Sequence, residues 1–299
     1  MAIAFKRHFR EFSRFLRTER RSFGNRRVPG PWVPGSQHPE SLLLVTLDSC
    51  RWDTFDRVPT PNIDAVGTPH RVMAPSYFTF ASHAAMFVGF TPGDGLRSEA
   101  IVNPKYGKLV RLDGGGTRSL GRDRFVLEGR SIIDGFNRRG YITAGTGAVK
   151  WFDDGSLAGA TLVRDFQHYR YAANCWSLGR QLEFLADKVG GARQPVFCFL
   201  NVGETHVPYW HEGAPWDRTR VPCRAFAETN DREESARRQG ECLAFVDRTL
   251  GPLLQAFSAA NIMVCGDHGD VWGEDGVWEH GFHHPKVMEV PMAFRLSAS

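Results

Sequence analysis

Runs of apolar residues alternate with loops and amphipathic stretches from residue 41 onward. This order is typical of parallel strands joined by helical crossovers, so the predicted fold class is α/β, with a mostly parallel central sheet and helices on both faces. The apolar runs predict strands at 42–47, 141–145, 196–201, 262–265 and 290–294. Amphipathic periodicity predicts helices at 131–139, 176–189 and 233–257, the last interrupted at Gly251-Pro252.

The first 40 residues follow a different pattern. Phe5, Phe9, Phe12 and Leu16 recur at helical spacing among basic residues, which predicts a basic amphipathic N-terminal arm at 1–28. Residues 29–40 hold four prolines and two glycines, as in an extended linker. The apolar stripe fits packing on the protein's own body or on a second subunit of a homo-oligomer, and alternatively contact with an anionic membrane or acidic partner.

The net charge of +4 divides unevenly between these parts. Residues 1–40 carry +6, which leaves −2 for the rest of the chain. The basic isoelectric point therefore belongs to the arm, and no specific nucleic-acid binding is expected.

The six cysteines are scattered and form no C-x-x-C pair. No apolar run approaches the roughly 20 residues of a membrane helix, and no signal-peptide core is found between Lys6 and Arg21. These features predict reduced thiols and a cytoplasmic location.

Three predicted strands deliver acidic or imidazole side chains directly beyond their carboxyl ends. Asp48 follows the strand at 42–47, His206 comes soon after 196–201, and Asp267 and His268 follow 262–265. Open α/β sheets bind ligands at this edge. A helix cap or a satisfied polar group explains any one of these residues, but three coincidences favour a divalent metal site.

Several of these segments resemble the opening and closing motifs of the alkaline phosphatase and sulfatase superfamily, in the same order. They are residues 44–53 (LVTLDSCRWD), 60–64 (TPNID), 267–270 (DHGD), 273–281 (GEDGVWEHG) and 290–291 (VP). The resemblance implies an alkaline phosphatase-like metallohydrolase domain at 41–299. Because the chain ends soon after the last motif, a large C-terminal subdomain is not expected.

Residues 79–92 resemble the family's nucleophile segment, which leads into a helix expected from Ser82. Thr79 stands at the nucleophile position, and His83 stands where sulfatases have an arginine. Threonine cannot be oxidised to formylglycine, so the resemblance implies phosphate-type chemistry through a metal-bound Thr79. A divalent cation lowers the pKa of bound water from about 15.7 to about 7 and acts similarly on an alcohol.

The resemblance also implies a metal site for one or two divalent ions. Zinc or manganese is expected first, with magnesium or calcium as alternatives. A later histidine of the family is matched by His283 or His284, one residue apart, and the prediction assigns His284. The full predicted ligand set is Asp48, Thr79, Asp267, His268 and His284.

Four residues match family positions that act on the substrate. His206 and His280 match histidines that contact the substrate phosphate or a second metal. Asn103 matches an asparagine offered to a phosphate oxygen, although Asn before Pro is above all a turn former. Phe80 matches a ring that stacks on the leaving group, and it is equally explained as a buried core residue.

The implied function is metal-dependent hydrolysis of a phosphate ester, a small-molecule substrate, with diesters or nucleotide-like compounds favoured because no arginine pair is evident for a dianion. A phosphotransferase, in which an alcohol replaces water, and a sulfuric ester hydrolase are alternatives. Outside enzymes, the alternative is an inactive module that binds a metal or an anionic partner.

Overall fold

The computed structural model of the chain describes residues 38–89 and 130–297. The predicted arm at 1–28, residues 29–37 of the linker and Asn103 lie outside this part, so those expectations stay predictions. Within the described ranges, no helix is both long enough and apolar enough to cross a membrane.

Most of the described strands belong to one central sheet. The strands are β1 (Leu42–Leu47), β2 (His70–Met73), β3 (Ile142–Gly147), β4 (His168–Tyr171), β5 (Val196–Val202), β6 (Asn261–Gly266), β7 (Val271–Trp272), β8 (Trp278–Glu279) and β9 (Glu289–Arg295). Seven of them pair in the order β2-β9-β6-β1-β5-β3-β4, and β7 pairs with β8 separately. Strand β1 lies between β5 and β6, parallel to both, whereas β9 runs antiparallel to β6 and β2.

The α-helices of the described chain cover both faces of this sheet. They are α1 (Trp52–Phe55), α2 (Pro61–Asp64), α3 (Thr79–Val88), α4 (Ile132–Arg138), α5 (Leu157–Val163), α6 (Leu178–Val189), α7 (Arg232–Ala256) and α8 (Pro285–Met288). Helices α6 and α7 contribute to one hydrophobic core, and α3, α4 and α5 contribute to the other. The predicted α/β class with a mostly parallel, doubly covered sheet is confirmed.

The two faces of the sheet differ in chemistry. Along β5, Val196, Cys198 and Leu200 belong to a largely aliphatic core, whereas Phe197 and Phe199 belong to an aromatic core. This alternation follows from the period of two in a strand. Each fully buried Val, Leu or Phe contributes about 1.5–3 kcal/mol relative to exposure, so both faces hold the central strands in place.

The five predicted strands are confirmed to within two residues at each end, but the short strands β2, β4, β7 and β8 were not predicted. Strand β2 lies at an edge and three of its four residues are exposed, so it lacks the apolar run by which the others were recognised. The three predicted helices correspond to α4, α6 and α7.

The predicted interruption at Gly251-Pro252 is wrong, because α7 continues with Pro252 inside it. Proline costs a helix interior about 3 kcal/mol, but Leu250 and Leu253 on the same turn are fully buried in the aliphatic core and hold it. Gly251 has a separate reason, since a Cβ there would lie 2.7 Å from Asn62 Oδ1. Close packing of α2 on α7 therefore explains the glycine.

Candidate active site

The carboxyl ends of β1, β5 and β6 meet at one edge of the sheet. The parallel register pairs Leu47 with Val202 on one side and with Gly266 on the other. The next residues along β1 and β6 are Asp48 and Asp267, so two carboxylates leave the sheet side by side. The N–H of Asp48 donates to the carbonyl of Val202 at 3.0 Å, which fixes the backbone that carries the Asp48 carboxylate.

Asp48, Asp267 and His268 form a buried group that could hold a metal ion, called the metal-ligand group below, and their candidate ligand atoms all lie within 4.8 Å of one another. Asp267 Oδ1 accepts the N–H groups of Ser49 and His268, whereas its Oδ2 has no hydrogen-bond partner among the described residues. Burial and then the charge of Asp48 raise the pKa of Asp267 well above its usual range. An unpartnered buried oxygen beside a second carboxylate is an arrangement that a divalent cation would complete.

His268 presents one particular ring nitrogen to this group. Its Nδ1 lies 3.0 Å from the carbonyl of Gly269, which only accepts, so Nδ1 carries the hydrogen and Nε2 keeps a lone pair. Nε2 lies 3.6 Å from Asp267 Oδ2 and 3.9 Å from Asp48 Oδ1. Burial, and then the charge of His280, lower the pKa of His268 to about 3. The ring is therefore neutral and Nε2 is available as a ligand.

Thr79 brings a hydroxyl to the same group. Its Oγ1 lies 3.4 Å from Asp48 Oδ2 and 3.2 Å from His268 Nε2. Thr79 is 1% exposed, so this hydroxyl is withdrawn from bulk water. The four predicted ligands Asp48, Thr79, Asp267 and His268 are thus brought together.

The predicted start of the nucleophile helix at Ser82 is wrong by three residues, because α3 begins at Thr79. Phe78 is the N-cap of this helix and is extended, with φ −162°, so Ser82 does not cap the helix. The Ser82 hydroxyl instead lies 2.7 Å from the carbonyl of Asp267, which joins α3 to the end of β6. Thr79 consequently lies at a helix N-terminus, where backbone N–H groups and the helix dipole favour an anionic group.

His83 supports Thr79 from the next turn of α3. Its Nδ1 lies 2.7 Å from the Thr79 carbonyl and its Nε2 lies 2.9 Å from Thr46 Oγ1. The ring packs edge-on against Phe152 with centroids 4.8 Å apart. Burial lowers the pKa of His83 to about 4, so it is a neutral residue that fixes the turn bearing Thr79.

Asn201, near the end of β5, is a site residue that was not predicted. Its Nδ2 donates to Asp48 Oδ2 at 3.1 Å and to Thr46 Oγ1 at 3.3 Å, and its Oδ1 accepts the N–H of Ala148 at 3.2 Å. These contacts fix the rotamer of the Asp48 carboxylate. A single fully polar side chain inside an apolar strand, aligned with the residue before Leu47, was the signal that could have revealed it.

The predicted substrate histidines lie beside the metal-ligand group. The ring centroid of His280 is 4.2 Å from that of His268 and 5.5 Å from that of His206. Burial opposes a charge on His206, but a hydrogen bond with Cys175 and the charge of Asp48 raise its pKa well above the usual value. The site therefore places an imidazole that readily carries positive charge close to two carboxylates. Cys175 was not predicted to take part.

The predicted metal ligand His284 is not brought to this group. Its Nδ1 accepts the N–H of Lys286 at 3.0 Å and caps α8, while its Nε2 lies 3.4 Å from Asp275 Oδ2. His283 is exposed, and neither histidine is part of the ligand group found in the described ranges. A polar residue directly before Pro285 at a helix start is used as a cap, which corrects the assignment.

The placement of Phe80 corrects its predicted stacking role. The ring is 2% exposed and belongs to the aromatic core, with its centroid 5.7 Å from that of Trp151. Successive helical residues point about 100° apart, so Phe80 turns into the core where Thr79 turns to the site. The ring packs the nucleophile helix and offers no open face to a leaving group.

The fold of the chain is alkaline phosphatase-like, since the solved structures that it resembles include a member of the alkaline phosphatase superfamily. The sequence itself matches no protein-family profile and no curated protein. The likeness lies in the three-dimensional structure.

Three solved structures illustrate it. The C-terminal periplasmic domain of phosphoethanolamine transferase EptC from Campylobacter jejuni is 16% identical, with a TM-score of 0.57 over 86% of this chain and 80% of that one. The zinc complex of the corresponding EptC domain from Escherichia coli is 15% identical, with a TM-score of 0.54 over 91% and 77%. A phosphonate monoester hydrolase of Agrobacterium radiobacter is 15% identical, with a TM-score of 0.54 over 86% and 68%. At these identities the likeness establishes the fold.

Proposed function

We propose that this protein is a metal-dependent phosphoric ester hydrolase with Thr79 as its nucleophile. One observation carries the proposal: the Thr79 hydroxyl, at a helix N-terminus, lies within 3.4 Å of Asp48 Oδ2 and 3.2 Å of His268 Nε2. A threonine that served only as a helix cap would direct its oxygen to the backbone of its own helix. Here the oxygen is directed to the metal-ligand group.

The residues present fit a divalent cation. Two carboxylates, an imidazole lone pair and a hydroxyl converge, and one carboxylate oxygen has no partner among the described residues. Zinc suits this mixture of nitrogen and oxygen ligands, and the similar Escherichia coli domain was solved with zinc. Manganese is the second choice, with magnesium and calcium as harder alternatives. When bound, the cation would supply positive charge that lowers the pKa of a hydroxyl and offsets charge on phosphoryl oxygens.

The chain's own groups account for two balanced steps. In the first, Thr79 Oγ1 forms a bond to phosphorus, its proton passes to Asp48 Oδ2, and the bond to the leaving oxygen breaks while that oxygen takes a proton from His206. In the second, water attacks the phosphothreonine and returns a proton to His206, and Thr79 Oγ1 leaves with the proton held by Asp48. The sum for a phosphodiester is diester plus water giving alcohol plus phosphate monoester.

A phosphodiester suits this site better than a dianionic monoester. Arg51 donates to the carbonyl of Asp270 beside the site, but its guanidinium also pairs with Asp53 at 2.6 Å and Glu274 at 3.0 Å. Its charge is therefore already balanced and is not free to clamp a second phosphate charge. We favour diesters, including nucleotide-like compounds, as the substrate class.

A phosphotransferase is the second candidate, favoured by the structural likeness to a phosphoethanolamine transferase domain. The first step is the same, and an acceptor alcohol replaces water in the second. Product analysis of a phosphodiester with and without added alcohols separates the two reactions, since a transferase forms a new diester in preference to the phosphate monoester.

The test uses the purified full chain, stripped of metal and then supplied with zinc, manganese or magnesium. Turnover is measured on bis-(4-nitrophenyl) phosphate, 4-nitrophenyl phosphate and 4-nitrophenyl sulfate. We expect metal-dependent turnover with the diester fastest and the sulfate slowest. Sulfate hydrolysis without phosphate ester hydrolysis would overturn the proposal.

A further inference from the structure

Asp270 is a fully buried carboxylate to which the proposed reaction assigns no part. It lies two residues after His268, immediately before β7. Its Oδ1 lies 2.6 Å from His280 Nδ1, and its Oδ2 accepts the hydroxyl of Tyr209 at 2.7 Å. The Tyr209 oxygen in turn lies 2.9 Å from Trp272 Nε1.

Trp272, Tyr209, Asp270 and His280 form a row of hydrogen bonds. The donors and acceptors available in each side chain fix the direction of every bond in this row. An indole N–H only donates, so Trp272 donates to the oxygen of Tyr209, and the Tyr209 hydroxyl hydrogen is left for Asp270. An ionised carboxylate only accepts, so the nitrogen facing it, His280 Nδ1, must carry a hydrogen. Both oxygens of the buried Asp270 therefore face N–H or O–H donors, and hydrogen bonds of this kind favour the ionised carboxylate.

The row is held rigidly on both sides. Asp270, Tyr209 and Trp272 are at most 2% exposed. Tyr209 has φ +52° and Glu279, directly before His280, has φ +66°, left-handed conformations that are uncommon outside glycine. These backbone positions persist only where the surroundings determine them, so the orientation of His280 is imposed by the fold.

We propose that Asp270 is a positioning residue that holds His280 as the Nδ1–H form and keeps its Nε2 available to the reacting group. This inference rests on the proposed function for its effect on turnover, but not for the state of the ring. The His280 ring lies 4.2 Å from that of His268, so its orientation matters at the site itself. Residues that orient a functional histidine in this way typically contribute 10–100-fold to activity or metal affinity.

The decisive variant is Asp270→Asn. In the variant, the Tyr209 hydroxyl donates to the asparagine oxygen, so the amide N–H₂ faces His280 Nδ1. That nitrogen must then accept a hydrogen bond, which requires the Nε2–H form of His280. Two-bond ¹H–¹⁵N spectra of the zinc-loaded full chain with ¹⁵N-histidine distinguish the two forms, and His280→Gln identifies the signal. We expect the wild type to be Nδ1–H, the variant to be Nε2–H, and turnover on the aryl phosphodiester to fall about 10–100-fold.

Asp247→Asn is the matched control, because Asp247 is also a buried carboxylate but accepts the N–H groups of Asn62 and Ile63 at α2. It should leave the His280 signal and turnover unchanged. In a His280→Gln background, Asp270→Asn should cause no further loss, since its effect passes through the ring.

Several outcomes would overturn the inference. A wild-type His280 in the Nε2–H form does so without the Asp270→Asn variant, and therefore even if that variant does not fold. A folded Asp270→Asn protein that keeps the Nδ1–H signal, or losses that multiply with His280→Gln, would do so as well. If the wild type hydrolyses no phosphate ester but Asp270→Asn changes the His280 signal from the Nδ1–H to the Nε2–H form, the proposed function fails while the positioning role stands.

Discussion

The two halves of the candidate site are held in different ways. The metal half consists of Asp48, Thr79, Asp267 and His268. It is held largely by backbone groups at strand ends and a helix start, as when Asp267 Oδ1 accepts two N–H groups. The histidine half, His206 and His280, relies more on side chains, namely Cys175 for His206 and Asp270 for His280. Backbone placement follows directly from the sheet, whereas side-chain placement depends on loop packing. We therefore expect changes in the metal half to abolish chemistry or metal binding and changes in the histidine half to have graded effects.

The largest effect is expected for Thr79→Ala. Turnover should fall by about 10³–10⁶-fold, as for other nucleophile deletions, while most metal binding remains because Asp48, Asp267 and His268 are unchanged. Thr79→Ser keeps the hydroxyl and should retain much more activity. Mass spectrometry of quenched wild type should show one added phosphoryl-type group on the peptide containing Thr79. Turnover of Thr79→Ala at the wild-type rate would show that the Thr79 hydroxyl takes no part in the reaction.

Asp267→Asn should separate metal binding from folding. The amide oxygen can still accept the N–H groups of Ser49 and His268, so the fold should persist, but metal affinity should fall more than about 100-fold. Because the change removes a buried charge next to Asp48, the metal-free variant should be at least as stable as metal-free wild type. Metal analysis and thermal unfolding check this, with Asp247→Asn as the control for buried carboxylates. Full metal occupancy in Asp267→Asn would show that the ligand set is wrong.

Asn201→Ala tests the support of the metal half. Loss of the bond to Asp48 Oδ2 frees that carboxylate to rotate, so metal affinity should fall about 10–100-fold. Asn137→Ala is the matched control, because Asn137 also bonds through both amide atoms, to Asp165 and Thr143. Titration of both variants with zinc measures the difference. Equal affinities in the two variants would mean that Asp48 does not need Asn201.

Glu204, in the segment that leads to His206, gives a pH-dependent prediction. Burial, only partly offset by the N–H of Leu178, raises the pKa of this carboxyl from 4.5 to about 7. Its stabilising contribution is thus fully present below about pH 4.5 and is lost as pH rises to about 7, since the folded state then holds a proton that the unfolded state has lost. Glu204→Gln should match wild type near pH 4.5 and exceed it by up to about 3 kcal/mol at pH 8.

Urea unfolding of both proteins at the two pH values provides the measurement. A constant difference across this range would indicate that folding does not raise the pKa of Glu204. In that case the unpartnered Oε2 must be satisfied by a group beyond those described.

The smallest effect is expected for His284→Ala. Its ring caps α8 and pairs with Asp275, so the loss should be about 1 kcal/mol of stability with turnover and metal content within about twofold of wild type. His280→Ala, by contrast, should lower turnover clearly. Loss of bound metal in His284→Ala alone would restore that residue to the ligand set.

The central strands of the fold could be predicted because each is a continuous apolar run between polar loops. The edge strand β2 and the unbroken course of α7 through Pro252 could not, since both depend on neighbours distant in sequence. In β2 the hydrogen bonds to β9 replace an apolar signal. In α7 the buried leucines of the same turn outweigh the local cost of proline.

The sequence alone determined the convergence of Asp48, Asp267 and His268, because residues that directly follow parallel strands must emerge at the same edge of the sheet. It also indicated Thr79 through the resemblance of its segment. Only the tertiary structure decided that Asn201 holds Asp48, that Asp270 holds His280 and that His284 caps a helix. The contact between Asn201 and Asp48 joins segments far apart in the chain. In all three cases, which of several polar atoms a side chain meets is settled by packing rather than by local pattern.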